Sequence, residues 1–225
     1  MSWNEWVTGP QIAPSLYAAD FARLGEQIER LLDAGVTVFH FDTGDGHFVP
    51  PVTIGPIVLE SIADLVHRGG AILDCHLMVE HPERHLESFA QAGGDSVTVH
   101  YEVCDDLPAV YQQARSLGLG VGIAFNPETA PEDVAAASDG ADLVNCMSIH
   151  PGYSGQTFMP EALPRIRRLR ELIPAERLVE VDGGVGEENA RELREAGVDL
   201  FVAGSSVFAH GNPVAAYERL AQLVG

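Results

Sequence analysis

Basic side chains are scarce in this 225-residue chain: thirteen stand against thirty-three acidic ones, a formal net charge of −20. That balance argues against nucleic acid, whose phosphates need Lys and Arg. It also argues against an anionic membrane surface, while favouring solubility. Cysteine is equally sparse. Cys75, Cys104 and Cys146 are odd in number and widely spaced, with no CxxC. This excludes a disulfide scaffold, fits a reducing cytosol and makes all three packing residues. No apolar run reaches the ~18 residues a membrane span needs. The opening MSWNEWVTGP has neither a basic start nor an apolar core, so no secretion signal is expected and the cytoplasm is the expected location.

What is present is a core and a rhythm. Hydrophobic residues make up 46 % of the chain. Eight short β-rich runs recur: QIAPSL (11–16), VFHFD (38–42), ILDCHLM (72–78), SVTVHYE (96–102), GVGIAF (120–125), LVNCMS (143–148), LVEVDG (178–183) and LFVAGS (200–205). Between them lie segments of helical period. In DFARLGEQIERLLDAG, Phe21, Leu24, Ile28, Leu31 and Leu32 fall on one stripe, with Asp20 as N-cap and Gly35 closing the helix. Later helices are expected over 55–67, 82–92, 106–117, 130–138, 160–173, 187–196 and 213–224. A repeat of about 28 residues, with nothing left for a second domain, reads as a single-domain α/β chain folded as a (β/α)8 TIM barrel. Residues 1–10 form a short lead-in. A doubly wound open sheet is the alternative, but SLYAADF follows the first strand where such folds carry GxGxxG.

Barrel strands point alternate residues inward and carry chemistry at their C-terminal ends. His40 and Asp42 are two apart on the second strand and face one side. His76 lies near the end of the third, and Asp182 ends the seventh. Singly, an Asp there is a turn former and a His a hydrogen-bonded core residue. Together they make a plausible set for Zn²⁺, Fe²⁺, Mn²⁺ or Co²⁺. Across the mouth, glycine-rich loops follow strands six, seven and eight: SIHPGYSGQTF, DGGVGEEN and AGSSVF. Their N–H groups can hold a phosphate without basic side chains. Metal opposite phosphate implies a sugar phosphate. Two carboxylates beside a metal imply proton transfer next to a carbonyl.

The segments IAPSLYAADFARLG, HFDTGDGHFVPPVTIGP, DCHLMVEHPERH, MSIHPGYSGQTF, EVDGGV and VAGSSVF, in order from residue 12 to 208, closely resemble the signatures of the ribulose-phosphate 3-epimerase family. The resemblance implies a barrel enzyme of the pentose phosphate pathway. It interconverts D-ribulose 5-phosphate and D-xylulose 5-phosphate through an enediolate, with one divalent metal, Zn²⁺ in first place. It implies His40, Asp42, His76 and Asp182 as metal ligands, and Asp42 and Asp182 as the two acid/base groups. Ser15, Met78 and Met147 match substrate-pocket residues. Gly152, Tyr153, Ser154, Gly155, Gly183, Gly184, Gly204 and Ser205 match the phosphate-side loops, and His76 and Asp182 also face the substrate. Similar proteins form dimers or hexamers, so a homo-oligomer is expected.

Two departures bear on substrate choice. Thr43 and Gly44 stand where the family commonly has Met two places after the catalytic Asp, which is expected to enlarge the pocket. His150 and Ser154 replace common Asn or Asp and Gly. The alternative substrate is therefore a hexulose 6-phosphate such as D-allulose 6-phosphate. Asp45 is expected to shape the turn after the second strand.

Overall fold

The computed structural model of the chain describes residues 3–209 and 211–225. Eight strands, β1 (Gln11–Pro14), β2 (Val38–Gly44), β3 (Ile72–Met78), β4 (Ser96–His100), β5 (Gly120–Phe125), β6 (Leu143–Met147), β7 (Leu178–Asp182) and β8 (Leu200–Ala203), run parallel in one sheet. Each pairs with its sequence neighbour, β1 pairs with β8, and a single parallel bridge from Ser15 to His40 brings β1 against β2. The result is a nearly closed (β/α)8 barrel. Nearly every strand residue is buried, as expected where helices cover the outer face and neighbouring strands the inner one. The open-sheet alternative is thereby excluded.

The helices are α1 (Trp3–Trp6), α2 (Leu24–Asp33), α3 (Pro56–Arg68), α4 (Leu86–Gln91), α5 (Leu107–Ser116), α6 (Pro131–Ala137), α7 (Ala162–Leu172), α8 (Ala190–Glu195), α9 (Ser205–Phe208) and α10 (Pro213–Val224). Several expected boundaries shift. Asp20 does cap, accepting from the Ala22 N–H, but what it caps is a 3-10 turn over Phe21–Arg23. That tighter turn carries Phe21 off the apolar stripe, and it is 47 % exposed. The run 82–92 likewise splits into a 3-10 turn (Pro82–Arg84) and α4. Strand four stops at His100 because Tyr101–Val103 coil into another 3-10 turn. Strand eight stops at Ala203, and Ser205 begins α9.

The barrel interior is layered. At the N-terminal end Val38, Ile72, Leu143, Leu178 and Leu200 pack with Trp3 and Val7. Higher up, the register sets His40 beside Asp74 and Asn145 beside Glu180; above these come Asp42 beside His76 and Met147 beside Asp182. The expected lead-in therefore has a structural task, although its residues 1 and 2 lie outside the described ones. Trp3 is fully buried and plugs the barrel floor. Trp3→Ala is expected to lower unfolding free energy by about 3–5 kcal/mol in denaturant titration, since it removes a fully buried indole from the floor; a loss below about 1 kcal/mol would mean the plug is dispensable.

Candidate active site

The four acid and imidazole groups singled out in the sequence meet at the C-terminal mouth. Parallel pairing sets Asp42 directly beside His76 on the next strand, and β7 delivers Asp182 from across the barrel. His76 Nδ1 lies 3.1 Å from Asp42 Oδ1 and 3.3 Å from Asp182 Oδ2. His40 Nε2 lies 3.2 Å from Asp42 Oδ1, 3.4 Å from His76 Nδ1 and 3.8 Å from Asp182 Oδ2. One donor atom from each residue fits within 4.8 Å of the others.

The electrostatics ask for positive charge at that point. Burial alone would push the Asp42 carboxyl upward, but the His40 and His76 rings hold it far below the carboxylate range. Burial likewise works against a charged His40; the Asp42 and Asp74 carboxylates overcome it and raise its pKa well above 6.5. His76 is raised for the same reason, with Asp182 and Asp42 opposing its burial. Two nitrogens and two carboxylate oxygens form a donor set suited to a divalent cation, whose binding would compete with protons on the two rings.

A second ring of groups supports the first. His40 Nδ1 donates to Asp74 Oδ2 at 2.9 Å, and Asp74 Oδ1 accepts from Ser96 Oγ at 2.7 Å. That carboxylate turns His40 Nε2 toward the cluster. Ser15 Oγ donates to Asp42 Oδ2. Glu180 lies 3.8 Å from His40 Nδ1. Among the described residues neither of its oxygens has a hydrogen-bond partner, and burial, with Asp74 nearby, raises its pKa well above 4.5. His40, Asp74 and Glu180 also come within metal-ligand range of one another. The Asp74 bond to His40 Nδ1, however, occupies the atom a metal would need. Sequence reading missed Asp74 and Glu180. Both stand two residues before a singled-out group, in DCH and VEVD, so inward alternation was the available signal.

Beside the cluster opens a cavity of about 510 Å³, mouth included. Ser15, Asp42, Met78, Met147 and Asp182 line it, as do Gly152, Tyr153, Ser154, Gly155, Gly183, Gly184, Gly204 and Ser205. Each of these was named from the sequence; His76 alone of that set sits behind the wall, fully buried. Tyr17, Ile149, Pro151, Val185 and Val202 complete the lining. The loops after β6 and β7 are fastened together, Ser148 Oγ donating to the Gly183 carbonyl at 2.6 Å. Gly184 has φ +62°, and a Cβ there would come within 2.5 Å of the Phe158 nitrogen, so only glycine lets these two backbones approach. No arginine is among the lining residues, and the chain contains no lysine. No side-chain amine exists to form a Schiff base, and an anion entering here would meet backbone N–H groups in place of a cationic side chain.

Residues 11–208 match the model of the ribulose-phosphate 3-epimerase family. The chain belongs to that family. Among relatives named ribulose-phosphate 3-epimerase, that of Mycobacterium tuberculosis is 40 % identical over 220 residues, covering 96 % of this chain and 94 % of the relative. That of Escherichia coli is 41 % identical over 200 residues, 88 % of each chain, and that of Bacillus subtilis 39 % identical over 202, covering 88 % and 92 %. Among solved structures, thiamine phosphate pyrophosphorylase from Pyrococcus furiosus superposes with a TM-score of 0.70 at 17 % identity over 98 % of both chains. Orotidine 5′-phosphate decarboxylase from Pyrococcus horikoshii gives 0.67 at 15 %, covering 95 % and 99 %. These two likenesses concern the barrel alone.

At Gly44, where the ribulose-phosphate 3-epimerase family commonly has a bulkier residue, the space beside the backbone is already taken. A Cβ at Gly44 would lie 2.7 Å from Val49 Cγ2 and 2.9 Å from the Pro51 carbonyl oxygen. The loop after β2 has folded into the space, held by the Gly44 N–H to Thr53 Oγ1 bond at 2.7 Å. Asp45 does shape that turn, accepting from the His47 and Phe48 N–H groups and from Glu80 N–H. His150 is exposed and paired with Glu128 at 3.3 Å, outside the cavity. Behind His76, His100 is fully buried and its pKa is pushed down to about 4, chiefly by burial. Imidazole ¹⁵N shifts recorded against pH in the metal-free protein should therefore keep His100 neutral until about pH 4. A midpoint near the ordinary 6.5 would contradict that environment.

Proposed function

We propose that the chain interconverts D-ribulose 5-phosphate and D-xylulose 5-phosphate, one of Asp42 and Asp182 removing the C3 proton and the other supplying a proton to the opposite face, beside a divalent metal. The observation that carries this reading is the convergence of His40, Asp42, His76 and Asp182 at the edge of a cavity whose other wall is three glycine-rich loops. His40 Nε2, His76 Nδ1 and one oxygen from each carboxylate would hold the ion, Zn²⁺ first, with Fe²⁺, Mn²⁺ or Co²⁺ as alternatives. Once bound, it would act as a Lewis acid on the C2 carbonyl and offset the charge that develops when the C3 proton leaves.

The remaining work falls to side chains. The loops at Gly152–Gly155, Gly183–Gly184 and Gly204–Ser205 would anchor the phosphate through N–H groups. That anchor fixes C3 between the two carboxylates. One takes the proton from one face and the other returns a proton on the opposite face, inverting the centre. Ser15, bonded to Asp42 Oδ2, would hold that carboxylate in place. Met78 and Met147, nearly fully buried, would keep water from the enediolate.

The reading takes the chain as one domain acting on pentose phosphates in the cytoplasm, as a homo-oligomer of two or six copies. Val52 and Ile57, 80 % and 86 % exposed, offer apolar surface for such contacts. A hexulose 6-phosphate substrate rested on space at Gly44, which Val49 and Pro51 occupy.

Two measurements test this. Asp182→Asn should keep its unfolding midpoint yet lose ~10³-fold or more in kcat, since one acid/base group and one charged ligand go together. Near-normal turnover would refute the two-carboxylate scheme. Chelation should abolish epimerisation and add-back of Zn²⁺, Fe²⁺, Mn²⁺ or Co²⁺ restore it, with kcat/KM on D-ribulose 5-phosphate at least about tenfold above that on D-allulose 6-phosphate. A reversed preference would move the assignment to the hexulose.

A further inference from the structure

His76 does not end at the cluster. Its Nδ1 faces Asp42 and Asp182, so the proton of its neutral ring belongs on Nε2 when Nδ1 is a ligand. Nε2 lies 2.9 Å from His100 Nε2 on the neighbouring strand. Of two imidazole nitrogens at that distance one donates and the other accepts. His100 Nε2 must therefore accept, which puts the His100 proton on Nδ1. Nδ1 lies 3.3 Å from Glu102 Oε2. Glu102 is anchored in turn, since Oε1 accepts from the Asn126 N–H at 2.8 Å and from the Thr129 hydroxyl. From His76 through His100 to Glu102 each donor points away from the cluster, and the far oxygen of Glu102 is held by Asn126 and Thr129, so one proton arrangement satisfies the whole row.

The surroundings hold it in place. His76 and His100 are both fully buried, their ring planes only 21° apart, and Phe48 from the loop after β2 covers His100 with ring centroids 4.7 Å apart. The 3-10 turn that ends β4 at His100 is what swings Glu102 back under the ring. A second imidazole and a carboxylate behind a ligating histidine fix its tautomer and raise its basicity.

We propose that His100 and Glu102 are positioning residues that hold the His76 ring in its ligating tautomer and so set the affinity of the cluster for a divalent ion. This rests on the metal reading given above. The test titrates the purified metal-free chain with Co²⁺ against a chromophoric chelator and records the ligand-field spectrum alongside the unfolding midpoint. Glu102→Gln keeps an oxygen for Asn126 and Thr129 but removes the charge. His100→Phe keeps a ring but removes the acceptor. Both should weaken Co²⁺ binding about 10- to 100-fold per folded molecule and shift its spectrum. His100→Gln, whose amide can accept from His76 and donate to Glu102, should recover most of the affinity. Wild-type affinity and spectrum in Glu102→Gln would overturn the proposal even if His100→Phe fails to fold. So would a lowered midpoint with unchanged affinity, which marks a merely structural role. A wild-type chain that binds no Co²⁺ would overturn this inference and the metal reading together.

Discussion

Two carboxylates, Asp42 and Asp182, sit at the inner edge of a barrel whose interior excludes water, and buried negative charge is tolerated only with a positive partner. The rest of the site is arranged around that demand. His40 and His76 lie within 3.8 Å of both acids. The rings are oriented from behind: His40 by Asp74 and Ser96, His76 by His100 and Glu102. Glu180, deeper still, has no hydrogen-bond partner among the described residues, and its burial favours the neutral acid by raising its pKa. In a chain of net charge −20, this is a local cationic requirement inside a global anionic field, and only short-range geometry can meet it.

That geometry comes from the barrel. Parallel pairing without slip sets Asp42 against His76 and His40 against Asp74, because a register error of one residue would turn each side chain to the outer face. The apolar floor, sealed by Trp3, confines polar groups to the upper layers. The opposite wall answers a different demand. With no lysine in the chain and no arginine lining the cavity, an anion would be met by backbone N–H groups, and these are exposed only where glycine permits tight loops.

The family resemblance and the alternation of apolar runs made the eight strands legible in the sequence, along with the four groups that converge at the mouth and all but one of the residues expected around the cavity. His76 was placed with the lining residues and lies just behind them, fully buried with its Nδ1 against Asp42 and Asp182. The space expected beside Gly44 is filled by Val49 and Pro51, since an absent side chain says nothing of what takes its place. Phe21 left its stripe because a 3-10 turn has a different pitch from the α-helix that was read there.

By itself the sequence determined which residues lie inward and at which strand end, since period-two alternation and glycine punctuation are local properties written along the chain. Tertiary structure decided which inward groups touch. That Asp74 orients His40, that His100 stands behind His76 with Glu102 behind it, and that Trp3 closes the floor all depend on pairing between distant segments. Cross-strand register and loop packing set those contacts, and neither has a signature within any single stretch of the chain.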